Sequence, residues 1–81
     1  ALLRRLGEDW WTAFALSVRG NLAEDAGRFD EAETFFGEAN ARFAAANDQV
    51  NVAITLHHLG VVAFGQGDLE RPQSILARDA G

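Results

Sequence analysis

The chain has 81 residues, no cysteine and a formal net charge of −5 at pH 7. A chain of that length forms one small domain that buries about 60–65% of the surface exposed when it is unfolded, and without thiols no disulfide or thiolate zinc site can staple it. Twelve acids against seven scattered bases, all arginine, argue against phosphate or nucleic-acid binding by this segment. With no secretory apolar region and no apolar run long enough to span a bilayer, a cytoplasmic setting is expected.

Four short breaks delimit the expected helices: Leu6-Gly7-Glu8-Asp9, Ala26-Gly27-Arg28, Ala46-Asn47-Asp48 and Gln66-Gly67-Asp68. Each holds a Gly or Asn able to adopt positive φ, followed in three cases by an acid, the order of a helix C′ residue and the next N-cap. Residues 1–6 then read as the last turn of an earlier helix, with helices over 9–26, 30–46, 49–66 and 69–79. Loops this short make successive helices antiparallel neighbours.

The first full helix carries Ala13, Leu16, Gly20, Ala23 and Gly27, spaced 3, 4, 3, 4 as one helical stripe of mostly small residues. In the second, Asp30 is placed to cap, Glu33 stands three residues on, and the acids suit the positive end of the dipole. Its seam alternates Ala32, Phe36, Ala39, Phe43 and Ala46, so that rings slot into the gaps of the preceding stripe. The helix over 49–66 is apolar nearly all round and is expected to be the central helix, covered on more than one side. In the last, Pro72 stands in the first turn, where it lacks a donor and restrains Arg71.

The stripe of the first helix recurs 40 residues later as Ala53, Leu56, Gly60, Ala63 and Gly67. A fixed period with helical spacing predicts a stacked array of helical hairpins, each unit burying its apolar face on its neighbours. The chain has no methionine and begins on Ala1 in the repeat phase of Ala41, so both ends are expected to cut through the array.

Leu59-Gly60 with Ala63 and Gly67, and Gly20, Ala23, Gly27, Phe29, Ala32, Phe36 and Ala39, resemble the tetratricopeptide repeat over nearly the whole chain. The sequence departs from that pattern at Arg19, Pro72 and Asp79. The resemblance implies an all-α fold of about two antiparallel hairpins stacked as a short α-solenoid. The long step, with phrases such as Leu56-His57-His58-Leu59-Gly60, is similar to repeats of bacterial signalling proteins, including LuxR-type and MalT-like transcriptional regulators. That likeness implies a module of a larger bacterial regulator that binds a protein, a peptide or a small effector.

In such arrays the first helix of each unit lines the concave face. The resemblance therefore implies a groove of Phe14, Ser17, Asn21 and Asp25 facing Ile54, His57, Val61 and Phe64. An alternative reading is a homo-oligomerisation module whose open ends, Leu2, Leu3 and Leu6 with Trp10 and Trp11, pair chains into a homodimer. Trp10 and Trp11 open the helix so that one ring packs on Leu3 and Leu6 and the other stays near the surface, either as an interface anchor or as an end-cap of the core.

Catalysis is not expected. His57 and His58 point about 100° apart on a helix and have no ligand at i±4, so they do not form a metal pair. Glu24-Asp25 and Asp30-Glu31 flank a helix end and a helix start, where capping and the dipole explain them. No phosphate-cradling loop or thiol exists, and Ser17, Ser74 and the threonines have no base beside them. No cofactor and no membrane contact are expected.

Overall fold

The computed structural model describes residues 2–70, and among them the chain is all helix and turn. α1 spans Leu2–Asp25, α2 spans Phe29–Ala45 and α3 spans Gln49–Glu70. α2 packs against both α1 and α3, so among the described residues α2, not α3, is the central helix. Val50, Leu56 and Phe64 of α3 are exposed, Phe64 by 73%, and the expected cover on more than one side of α3 is absent among these residues.

Two turns of identical construction join the helices. At the end of α1 the Arg28 amide donates to Ala23 O and the Gly27 amide to Glu24 O, while Gly27 holds φ at 77°. At the end of α2 the Asp48 amide donates to Phe43 O and the Asn47 amide to Ala44 O, while Asn47 holds φ at 60°. Both are Schellman closures, which satisfy terminal carbonyls through one left-handed residue and reverse the chain. Asp48 then caps α3, its Oδ1 accepting from the Asn51 amide at 3.1 Å.

The other expected boundaries differ. α1 runs unbroken through Gly7, joining the expected segments 1–6 and 9–26, and α3 runs through Gly67 to Glu70. Neither glycine has positive φ, and an interior helical glycine costs only about 1 kcal/mol relative to alanine. Leu69 and Glu70 thus belong to α3, while 71–79 of the expected last helix lie outside the described residues. Asp30 does not cap α2. The Gly27 closure makes Arg28 the N-cap residue, and the Ala32 amide closes the first turn on Arg28 O, so Asp30 is already helical. Its Oδ1 instead accepts from Gln66 Nε2 at 2.8 Å.

The core follows the α2 seam. Ala32, Phe36, Ala39 and Phe43 are all buried, as the spacing predicts. Phe36 and Ala32 pack with Ala23 of α1 and Val62 of α3 at one end; Ala39 and Phe43 pack with Ala13 at the other. Gly20 lies under the Phe36 ring so closely that a Cβ there would stand 2.8 Å from ring carbon Cε1. A second polar bridge, part-buried, crosses the α2–α3 seam: Asn40 Nδ2 donates to Thr55 Oγ1 at 2.8 Å and to Val52 O at 3.0 Å. Thr55, only 1% exposed, donates in turn to Asn51 O, so this buried hydroxyl keeps its hydrogen bonds.

Candidate functional site

α1 and α3 flank α2 on the same side and leave a cleft of about 170 Å³ between them. Its floor is formed by Phe36 and Phe43 of α2, its walls by Phe14, Ser17, Val18 and Asn21 of α1 and by Asn51, Ile54, Thr55 and His58 of α3. The helical period explains the set, since side chains three and four apart share a face. That volume lies below the roughly 300–1,000 Å³ of pockets for drug-sized ligands. The cleft has room for one or two side chains.

Within the wall, Ser17 Oγ is buried and has no hydrogen-bond partner among the described residues. A helical serine ordinarily bonds back to the carbonyl four residues earlier. Left unpaired, a buried hydroxyl costs about 1–3 kcal/mol, a cost that an incoming polar group removes.

The two ends of the cleft differ in chemistry. At one end Trp10 stacks on Phe14 with ring centroids 5.5 Å apart and meets Phe43 edge-on at 6.2 Å, while Trp11 sits edge-on to both Trp10 and Phe14. Trp10 is further tied down by its indole N–H, which donates to Asp48 Oδ2 at 2.8 Å. Asp48 Oδ2 also accepts from Asn51 Nδ2 at 2.6 Å. These donors, the Asn51 side chain foremost, then its amide and the Trp10 indole, hold the Asp48 carboxyl below its usual pKa because they stabilise the ionised form. At the other end His58 lies flat on Phe36, centroids 4.7 Å apart, and its Nδ1 is 3.2 Å from Glu24 Oε1.

Of the residues expected to line a groove, Phe14, Ser17, Asn21 and Ile54 do line the cleft. His57 is exposed and its neighbour His58 takes the inward place, a phase difference of one residue. Val61 and Phe64 are exposed further along α3, and Asp25 is exposed at the end of α1. Val18, Asn51 and Thr55 are not among the residues expected in the groove, and Glu24 is expected only as an acid flanking a helix end. The three-residue spacing from Asn51 to Ile54 and from Thr55 to His58 is the signal that places them.

Of the residues expected at a pairing surface, Leu3 and Trp11 are exposed, Leu6 is half-buried and the side chain of Leu2 lies outside the described residues. Trp10 is not a free anchor: it packs on the cluster of Ala13, Ala39 and Phe43. Its indole N–H is held by Asp48. Along α1, Leu3, Trp11, Phe14, Val18 and Leu22 form an exposed stripe that borders the cleft at Phe14 and Val18.

Among the described residues no cluster of three or more His, Asp or Glu side chains is placed to hold a metal ion, and no helix is long and apolar enough to cross a membrane. His57 and His58 rings stand 5.9 Å apart at 69° to each other. No protein-family model, curated protein or solved structure matches the chain.

Proposed function

We propose that the chain is a non-catalytic binding module of a short tetratricopeptide-like α-solenoid that takes a partner protein or peptide in the cleft between α1 and α3. The observation that carries this reading is the unpaired, buried Ser17 Oγ in a wall shared with apolar, amide, threonine and histidine side chains over a Phe36–Phe43 floor. The exposed apolar flanks Phe14, Val18, Ile54 and Val61 extend the contact beyond the cleft itself, the layout of an anchor pocket with an apolar rim.

The small volume favours one or two anchoring side chains of a peptide over a cofactor-sized effector. The two chemically distinct ends give the ligand a direction, an aromatic residue suiting the Trp10–Phe14 end and a basic residue suiting Glu24. A cytoplasmic place in a larger bacterial regulator fits the arginine-only, cysteine-free composition and the repeat pattern. Reading function from a fold likeness carries less weight than reading it from a site, so the test addresses the cleft.

Peptides selected by display on the immobilised 81-residue chain are titrated into 15N-labelled protein. Amide shifts concentrated at Ser17, Asn21, Ile54 and His58, together with loss of binding in Ile54→Glu, are expected. Binding that survives Ile54→Glu and Ser17→Leu, with shifts elsewhere, would overturn the reading. Ile54 is exposed enough that the glutamate variant folds, which circular dichroism checks.

A further inference from the structure

α1 carries an apolar surface on the side turned away from α2. Leu3, Trp11, Phe14, Val18 and Leu22 are between 44% and 82% exposed there. Together with Gly7 they follow one another at steps of 4, 4, 3, 4 and 4. At about 100° per residue the six positions fall within an arc of about 100°, the width of a helix face that ordinarily packs on a neighbour. The residues that meet α2, namely Ala13, Leu16, Gly20 and Ala23, stand on roughly the opposite side of the same helix.

The steps read the same from either end, and that symmetry selects the occupant. In an isologous pair, residue i of one copy meets residue j of the other and j meets i. With two α1 helices antiparallel and a two-fold axis between positions 12 and 13, Leu3 faces Leu22 of the other copy, Gly7 faces Val18 and Trp11 faces Phe14. The members of each pair also stand at equal angles on either side of the middle of the arc, so lateral offsets match as well as heights. The one gap in the stripe is Gly7, where a Cβ would meet nothing within 4 Å. The branched side chain of Val18 from the other copy fits that gap.

Charge agrees with the antiparallel sense. The start of α1 carries Arg4 and Arg5 and its end Glu24 and Asp25, so antiparallel copies set base against acid at both ends, whereas parallel copies set like against like. Arg4 flanks the stripe and faces Asn21 of the other copy, one helical turn from Asp25. That aspartate is exposed and in no ion pair among the described residues. Arg4 has only a solvent-exposed contact with Glu8 at 3.7 Å to give up, and such pairs contribute little.

We infer that two copies of this chain pair antiparallel through the outer face of α1, with Leu3 on Leu22, Gly7 on Val18 and Trp11 on Phe14. The contact runs roughly 28 Å along the helix from Leu3 to Leu22, at about 1.5 Å per residue. Two Trp11–Phe14 contacts lie at its centre, where large aromatic side chains contribute most to an interface. This face replaces the Leu2–Trp11 end of α1 as the pairing surface, and Trp10, committed to Asp48 and Phe43 within its own chain, takes no part. Pairing goes beyond the peptide reading and does not rest on it; the two share Phe14 and Val18.

The test places charge at the two ends of the stripe. Light scattering of the 81-residue chain should show a concentration-dependent dimer. Leu3→Lys alone and Leu22→Glu alone should each weaken it at least about 10-fold, since each sets an unpaired charge against leucine in the contact. The double variant Leu3→Lys/Leu22→Glu should regain about 10-fold over either single, because the two-fold brings the opposite charges together. Within one chain the two positions are too far apart along α1 to meet. The chain has no native cysteine, so Gly7→Cys and Val18→Cys, mixed and oxidised, should form the mixed disulfide dimer in preference to either crosslink of like with like. A monomer mass at every concentration, a double variant no tighter than the singles, or preferential crosslinking of Gly7→Cys to itself would overturn the inference. Helicity by circular dichroism should be unchanged in the Leu3 and Leu22 variants, both positions being exposed in the single chain. Peptide binding is scored separately on the Leu3→Lys chain, which alters no residue of the cleft, so either reading can fail alone.

Discussion

Gly20 of α1 and Phe36 of α2 are in such close contact that the glycine's missing side chain is what lets the ring lie flat in the core; a Cβ would stand 2.8 Å from it. Gly20→Ala gains about 1 kcal/mol of helix propensity and incurs overpacking of about 1–3 kcal/mol, since Phe36 is fully buried and has nowhere to go. Net destabilisation of about 1 kcal/mol is expected in urea melts. Gly37, exposed on α2 with open space around it, supplies the contrast: Gly37→Ala is expected to stabilise by about 0.5–1 kcal/mol. A higher urea midpoint for Gly20→Ala would show that α1 and α2 can slide apart at this contact.

The two left-handed turn residues give the second prediction. Asn47 holds φ at 60° in the same closure that Gly27 makes at 77°. Left-handed backbone costs a residue with a Cβ roughly 1–2 kcal/mol, and glycine avoids that cost. Asn47→Gly should therefore be neutral or stabilising, and Gly27→Ala should lower stability by about 1 kcal/mol, both read from thermal melts.

Asp48 joins the α3 cap to the Trp10 anchor, and its depressed pKa fixes the sign of its pH dependence. A carboxylate that ionises more easily in the folded chain than in the unfolded one stabilises the fold fully above the ordinary value of 3.8. The contribution is lost as pH falls through the lower folded value. Asp48→Asn should thus lower the melting temperature at pH 7, and the gap to the parent should close on acidification below about pH 4. A gap constant from pH 7 to pH 2 would mean the carboxylate charge is not what the Asn51 and Trp10 donors recognise.

Thr55 provides a fourth test on the opposite seam. Its hydroxyl accepts from Asn40 and donates to Asn51 O in a buried position. Thr55→Val keeps the shape and removes both bonds, with an expected loss of about 1–2 kcal/mol because Asn40 is left with one acceptor fewer. Thr55→Ser should recover much of that loss. A loss in Thr55→Ser with none in Thr55→Val would make the methyl group, not the hydroxyl, the contributor.

The alternation of Ala32, Phe36, Ala39 and Phe43 made the α2 seam legible, and the left-handed candidates Gly27 and Asn47 marked the true turns. The false breaks at Gly7 and Gly67 show what was missing from that reading. A glycine permits a left-handed turn, but a turn forms only where a following helix can pack back and repay the lost helical bonds. Gly7 and Gly67 lie inside α1 and α3, which run through them. His57 and His58 differ by one residue, about 100° of helix, which sequence periodicity on an almost wholly apolar helix does not resolve. The Trp10–Asp48 bond spans 38 positions, and nothing local in either segment announces it.

The arrangement of α2 between two helices that scarcely touch each other also sets how the chain finds its structure. Nearly all packing joins helices adjacent in sequence through turns of a few residues, so few loops of large entropy have to close before contacts form. Folding should be fast, on the order of microseconds to milliseconds. Growth can begin at either turn and propagate through α2, whose amides would exchange with solvent last.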